Sequence, residues 1–92
     1  MDATFNQYNT ISEILKVLAH PIRLCIVKGL IDNGVSNVSH MQTCLEVPQS
    51  TVSQHLQKLK AARVIEGTRN GIEINYRVCD ELVIKLVKAL FS

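Results

Sequence analysis

Residues 49–77, QSTVSQHLQKLKAARVIEGTRNGIEINYR, change their hydrophobic period from that of a helix to that of a strand. In the first half, Val52, Leu56 and Leu59 recur at helical spacing, which predicts a helix with one apolar stripe. The remaining surface of this helix carries Gln49, Ser50, Ser53, Gln54, Gln57 and Lys58. Hydroxyls and amides both donate to and accept from base edges, so this face is typical of a helix that reads DNA.

The second half of the segment predicts a β-hairpin. Apolar and polar residues alternate on both sides of Asn70-Gly71, a dipeptide that favours a two-residue type I′ turn. With those two residues as the loop, Arg69 pairs with Ile72. The face predicted to pack on the helices then holds Ile65, Ile72, Ile74 and Tyr76, and the solvent face holds Glu66, Thr68, Glu73, Asn75 and Arg77.

Three helices are predicted upstream of this segment. Thr10 and Glu13 fit a capping box, so the first helix is expected to begin at Thr10 and to end before His20-Pro21. Pro21 suits the first turn of a second helix, which Gly34 ends. Asn37 then caps a third helix of roughly three turns. The apolar stripe of the first helix holds Ile11, Ile14, Leu15 and Leu18.

The last helix is predicted to follow an Asp80 cap. Its apolar stripe is wide for a chain end and holds Leu82, Val83, Leu86, Val87, Leu90 and Phe91. A helix face of this kind is usually covered, and the matching helix of a second copy is one candidate.

Composition restricts the class of protein. The chain has 92 residues, so we expect one domain over residues 1–92, and 47% hydrophobic residues are enough for it to fold. The net charge is only +2, but five cations and two acids lie between residues 48 and 77. This basic third can attract a phosphate backbone, or it can be an ordinary solvated face.

The sequence also carries expectations about compartment. It contains neither a secretory signal nor an apolar run of the roughly 20 residues that a bilayer requires, so we expect a cytoplasmic protein. Cys25, Cys44 and Cys79 would then remain thiols. Their spacing matches neither a disulfide framework nor a zinc finger.

Two short helices followed at once by a hairpin is the order of a winged helix-turn-helix, whose second helix enters the DNA major groove. The segments LKVLAHPIRLCIVKGL (15–30), PQSTVSQHLQKLKAARVIEG (48–67) and RNGIEINYRV (69–78) resemble the ArsR/SmtB family of bacterial repressors. The resemblance covers about residues 15–91. It implies a mainly α fold with a small β-hairpin, in the order α-α-α-α-β-β-α.

The resemblance further implies a homodimer, joined through the first and last helices, that binds a palindromic promoter site and blocks transcription. The interface residues would be Ile11, Leu15, Leu82, Val83, Leu86, Val87 and Leu90. Matching positions predict DNA contacts from Gln49, Ser50, Thr51, Ser53, Gln54, Gln57, Lys58, Arg69 and Asn70, with Arg69 at the wing tip and Thr51 and Lys58 on phosphates. His55 either packs inside or contacts DNA.

The family's metal sites are not matched. The two cysteine positions of the metal-sensing members fall on Asn37 and Ser39, and at the other site Asp80 is matched but Leu82 replaces a histidine. We therefore expect no metal and no other cofactor. His40 and Cys44, four residues apart on one helix, are a residual candidate pair for a soft ion.

Two alternatives to a simple repressor stay open. One is a thiol-responsive repressor, in which a disulfide between Cys25 and Cys79 would require their Cα atoms to lie within about 7 Å. The fold would otherwise serve as a protein-interaction module that has lost DNA binding, although 4% aromatic residues supply few anchors for such a surface. An enzyme is disfavoured because Ser50, Ser53 and His55 have no acid placed to orient the histidine.

Overall fold

The computed structural model describes the backbone of residues 3–92 and the side chains of residues 4–42 and 45–92. Within that part of the chain, five helices and three strands follow one another: α1 (Ala3–Leu18), α2 (Pro21–Asn33), β1 (Ser36–Asn37), α3 (Val38–Leu45), α4 (Gln49–Ala61), β2 (Ile65–Asn70), β3 (Glu73–Val78) and α5 (Glu81–Leu90). The strands form one antiparallel sheet in the order β1-β3-β2. The predicted helices and the hairpin are all present, in the predicted order. None of the described helices is long and apolar enough to cross a membrane.

The start predicted for α1 is wrong. Thr10 lies in the middle of the helix, and its hydroxyl donates to the backbone carbonyl of Asn6 at 3.0 Å instead of capping. A threonine inside a helix has this alternative whenever the preceding turn is helical. Residues 3–9 contain no Gly or Pro to stop the helix, so it extends toward the N-terminus with Phe5 and Tyr8 exposed.

The predicted caps at Asn37 and Asp80 are confirmed. Asn37 Oδ1 accepts from the backbone N–H of His40 at 2.9 Å, and Asp80 Oδ1 accepts from that of Leu82 at 2.9 Å. Gly34 ends α2 with φ at 87°, a conformation that a residue with a Cβ rarely adopts.

The connections around α4 depend on two residues in the left-handed region. Glu46 takes φ of 57° and ends α3 after eight residues, nearer two turns than the three predicted. Arg63 takes φ of 61° just after α4, and the N–H of Val64 donates to the carbonyl of Leu59 at 3.0 Å. This turn directs the chain into β2 at once, so the hairpin begins directly beside the end of α4.

The core is formed by apolar side chains from every helix together with the ends of the hairpin. Its buried residues are Ile14, Leu18, Ile26, Val27, Leu30, Met41, Val52, Leu56, Leu59, Val64, Ile65, Val78, Val83 and Val87. The stripe predicted for α4 is confirmed, because Val52, Leu56 and Leu59 all lie in this core. The polar face of α4 therefore points away from it.

The register of the hairpin differs from the prediction. Asn70 pairs with Glu73, so the loop consists of Gly71 and Ile72. Gly71 has φ of 68°, whereas Asn70 keeps a negative φ. A positive φ at the first loop position alone is the pattern of a type II′ turn, which favours Gly there. A type I′ turn formed by Asn70 and Gly71 would require a positive φ at both residues, whereas Asn70 has a negative one.

In this register Ile72 does not lie on the hairpin face that was predicted to pack on the helices. Ile72 lies at the hairpin tip and is 97% exposed, so the prediction that it packs on the helices is wrong. Arg69 now pairs with Ile74 rather than Ile72, a shift of two residues that leaves every other side chain on its predicted face. Tyr76 lies across Gly67, where an added Cβ would come within 3.1 Å of the ring.

Strand β1 was not predicted. Ser36 and Asn37 pair with Tyr76 and Asn75 of β3, although the sequence suggested only a link at Ser36 and a helix cap at Asn37. Two residues are too short to show a hydrophobic period, so this strand has no sequence signal. It ties the start of α3 to the hairpin.

Candidate nucleic-acid interface

The outer face of α4 presents the side chains that were predicted to read DNA. Five of them are exposed: Gln49, Ser50, Gln54, Gln57 and Lys58. Thr51 and Ser53 are half-buried at the sides of the helix. Because the opposite stripe is held in the core, this polar face has one orientation relative to the rest of the protein.

The N-terminus of α4 is open. Pro48 occupies the cap position, and no described side chain accepts a hydrogen bond from the first turn. The backbone N–H groups of Thr51 and Val52 return to the carbonyl of Pro48. The first N–H groups of a helix, together with its dipole, suit a phosphate oxygen.

Most cations of the basic third are free to meet phosphates. Among the described residues, ion pairs join Arg77 to Glu66, Lys28 to Asp32 and Lys16 to Glu13. The other four cations of the basic third take part in none of these pairs: Lys58, Lys60, Arg63 and Arg69. All four are exposed. An exposed cation that is not held in an ion pair can approach a phosphate directly.

A groove of about 390 Å³ separates α4 from the hairpin. Gln49 and Ser53 line its α4 side, and Ile72, Ile74 and Tyr76 line its hairpin side. Arg69 and Asn70 lie exposed next to the same hairpin tip. The groove is thus lined by Gln49 and Ser53 of the predicted set, by the hairpin and by residues 37–39, while Arg69 and Asn70 lie beside it. Ile72 was not predicted to lie here, although Gly at the first position of a two-residue loop was a usable signal.

His55 joins α4 to the α1–α2 junction. The Arg23 side chain donates through Nε to the carbonyl of Val17 at 2.6 Å and through Nη1 to Nδ1 of His55 at 3.2 Å. The ring of His20, whose Nδ1 accepts from the N–H of Ile22, lies 4.5 Å from the His55 ring between centroids. This cluster had no sequence signal, because 32 residues separate Arg23 from His55.

The arrangement determines the protonation of His55. Arginine only donates, so Nδ1 of His55 must carry a lone pair. Burial lowers the pKa of His55 below 6.5, and the neighbouring His20, Arg23 and Lys58 lower it further. The half-buried ring with its occupied nitrogen favours the packing role over the DNA contact.

We expect the protein to lose stability as the pH falls below 6.5, and His55 to cause part of that loss. The folded-state pKa of His55 lies below the unfolded value, so the unfolded chain takes up the proton first. The stabilisation is complete above the unfolded pKa and disappears as the pH falls through the folded one. Urea unfolding at about pH 7.5 and about pH 5.5 measures it. In His55→Asn, whose Oδ1 takes the place of Nδ1 as the acceptor for Arg23, the pH dependence should be smaller; an equal dependence in both proteins would contradict the assignment.

Cys25 and Cys79, the cysteines of the thiol-responsive alternative, lie outside the surface formed by α4 and the hairpin. Cys25 is exposed on α2 and lines a mainly apolar cavity of about 100 Å³ with Ile26, Leu30 and Met41. Cys79 follows β3, with its Sγ 3.5 Å from the carbonyl oxygen of Arg63. The thiol-responsive alternative stays a prediction.

The residual metal candidates have little support from the geometry. The side chain of Cys44 lies outside the described residues, so its pairing with His40 is not described either. Asp80 uses its carboxylate to cap α5. Within the described part of the chain, no three His, Cys, Asp or Glu side chains are grouped closely enough to hold a metal ion.

The residues predicted to form the dimer interface divide into two groups by their exposure. Leu15 on α1 and Leu82 and Leu90 on α5 are 49%, 48% and 61% exposed, and Ile11 and Leu86 are half-buried. Val83 and Val87 are fully buried inside the protomer. These two valines lie on a neighbouring stripe of α5 that packs into the core of the protomer.

Comparison with known proteins identifies the relatives of this chain. A family model described as a helix-turn-helix domain matches residues 18–68. The transcriptional repressor PagR of Bacillus anthracis is 42% identical over 79 residues, which cover 86% of this chain and 79% of PagR. The transcriptional repressor SmtB of Mycobacterium tuberculosis is 43% identical over 75 residues, and the match spans about half, 55%, of the length of SmtB.

Solved structures agree with these sequence matches. The crystal structure of PagR superposes with a TM-score of 0.86 at 38% identity, covering 94% of this chain and 98% of that one. The solution structure of the homodimeric winged helix-turn-helix DNA-binding domain Mb0332 of Mycobacterium bovis has a TM-score of 0.85 at 27% identity. That match covers 99% of this chain and 83% of the other.

Proposed function

The chain belongs to the ArsR/SmtB family of winged helix-turn-helix, DNA-binding transcriptional repressors, and we propose that it acts as a homodimer on a two-fold symmetric operator. In this proposal α4 enters the major groove, and the β2–β3 hairpin contacts the flanking DNA. The relatives are named as transcriptional regulators rather than enzymes. A regulator of promoter DNA works where the chromosome lies, which supports the cytoplasm as its compartment.

The polar face of α4 is the observation that carries this proposal. Gln49, Ser50 and Gln54 project from a helix whose opposite stripe is buried, so their amides and hydroxyl are presented on a rigid support. Exposed cations flank them, with Lys58 on the same helix and Arg69 on the hairpin. Amide groups at such positions can make bidentate contacts with adenine, while cations hold the backbone.

The homodimer is supported by the apolar side chains that α1 and α5 leave exposed. Leu82, Leu86 and Leu90 recur every four residues along α5, which places them on one face of that helix. The relative Mb0332, whose fold matches nearly the whole chain, is homodimeric. A two-fold dimer presents its two recognition helices to successive major grooves, so the operator would mirror the symmetry of the protein.

Selection of binding sites from a randomised duplex library tests the proposal directly. The reduced protein, at near-physiological salt and with metal chelated, is expected to enrich a two-fold symmetric site. Gln54→Ala should relax one base position in each half-site, at a cost of about 1–3 kcal/mol per lost bidentate contact. Both proteins are put through the same selection, and their affinities for the enriched site are compared.

Asn6→Ala is the matched control, since Asn6 is an exposed amide residue on α1, on the side of that helix away from Ile11 and Leu15. It should select the wild-type site with wild-type affinity. Recovery of no motif by a folded wild-type dimer would contradict the proposal and favour the protein-interaction module. An unchanged motif with Gln54→Ala would remove that residue from the base-reading set.

A further inference from the structure

Ile72 is the most exposed large apolar side chain among the described residues. It is the second residue of a two-residue loop and is 97% exposed. The pairing of Asn70 with Glu73 closes the loop directly beneath it, so the side chain cannot fold back onto the sheet. Removing an isoleucine side chain from water is favourable in free energy, and in the isolated protomer the side chain of Ile72 stays exposed to water.

The proposed dimer interface does not account for this exposure. Among the described residues, the other exposed large apolar side chains lie on α1, on or just beyond α5, or at Val35 after α2. Ile72 instead lines the groove opposite Gln49 and Ser53, the α4 residues proposed to face DNA. Its surroundings at the hairpin tip include the exposed Arg69. The surface that would cover Ile72 therefore lies on the same side as the DNA.

We propose that Ile72 is a DNA-contacting residue, which packs against the deoxyribose walls of the minor groove beside the half-site read by α4. The inference rests on the proposed DNA interface and adds an apolar anchor to it. Proteins that bind the minor groove use apolar side chains there, isoleucine among them, and frequently insert them between base steps. Arg69 would hold the adjacent phosphates, so the hairpin tip combines one cation with one apolar contact.

The first experiment separates an apolar contact from an ionic one. Ile72→Ser should bind the operator roughly tenfold more weakly, with an unchanged slope of affinity against salt, because no phosphate contact is lost. Arg69→Ala should instead flatten the logarithmic slope by about 0.9, the value for one phosphate. Val35→Ser is the control for an exposed apolar residue outside α4 and the hairpin, and should bind like the wild type.

The second experiment identifies the groove. The base pairs beneath the hairpin tip are made either G·C or inosine·C, which differ in the minor groove by the guanine N2 amino group. The wild type should prefer inosine·C several-fold, because the amino group obstructs the groove floor. Ile72→Ser should lose most of that preference. All variants are checked by urea unfolding, where Ile72→Ser should match the wild type because the side chain is exposed.

The outcomes distinguish this inference from the proposed function. The role of Ile72 would be overturned if Ile72→Ser binds with wild-type affinity or keeps the full preference for inosine·C. In that case Gln54→Ala and Arg69→Ala would still weaken binding. If none of the three variants changes affinity, the proposed interface itself is wrong. A change in salt slope with Ile72→Ser would also contradict an apolar contact.

Discussion

Replacing both Leu82 and Leu90 with aspartate is expected to produce a folded monomer that binds operator DNA at least about 100-fold more weakly than the wild type. Both side chains are about half exposed in the protomer, so the exchange should leave its core intact. In the proposed dimer the same positions are covered. Four carboxylates would then be buried without partners at a two-fold interface, which opposes association strongly.

The loss of affinity follows from the loss of avidity. In a dimer, the second α4 binds its half-site as an intramolecular step, at an effective concentration far above that of free protomers. A monomer has only one recognition helix and one hairpin. It should therefore bind a single half-site and a full site with nearly the same affinity per half-site.

Sedimentation equilibrium and titration of labelled operator measure these two effects. The control is the double variant Lys85→Gln and Lys88→Gln, which changes the net charge of α5 by the same two units at exposed polar positions. This control should stay dimeric. A Leu82→Asp, Leu90→Asp protein that is still dimeric and still binds with wild-type affinity would rule out α5 as the interface.

Leu59→Ala is expected to lower the free energy of unfolding by about 2–5 kcal/mol, a large part of the 5–15 kcal/mol that stabilises a typical domain. Leu59 is fully buried at the C-terminal end of α4, and its carbonyl accepts from the N–H of Val64 in the turn to β2. The substitution opens a cavity where the recognition helix and the hairpin meet. Both halves of the DNA interface should therefore become less ordered.

Urea unfolding at one fixed protein concentration measures this loss, since association of protomers also contributes to apparent stability. Gln57→Ala, an exposed change on the same helix, should alter the unfolding free energy by less than about 0.5 kcal/mol. A loss below about 1 kcal/mol for Leu59→Ala would mean that the neighbouring side chains collapse into the space, and that α4 is anchored mainly by its other contacts.

The polar face of α4 could be predicted because it depends on the spacing of a few residues within one helix. Val52, Leu56 and Leu59 are buried as their period indicates, and that leaves Gln49, Ser50 and Gln54 outside. The caps at Asn37 and Asp80 are equally local, since each side chain reaches a backbone N–H only two or three residues away.

The hairpin shows where local signals are insufficient. Asn70-Gly71 indicated a turn correctly, but two turn types compete for it, and they differ in which two residues form the loop. In the observed register Ile74 and Tyr76 lie over Gly67, and β1 pairs with β3, and neither contact can be read from the two turn residues. The exposure of Ile72 follows from that register.

The sequence alone was therefore sufficient for the helix order, the hairpin, the family resemblance and the face of α4 that is proposed to read DNA. Tertiary packing was needed to place Val83 and Val87 in the core, to bring Arg23 to His55 and to turn Ile72 toward the groove. The reason is physical. A periodic stripe shows that a helix buries one face, but which side chains are covered within the protomer depends on neighbours that are distant along the chain.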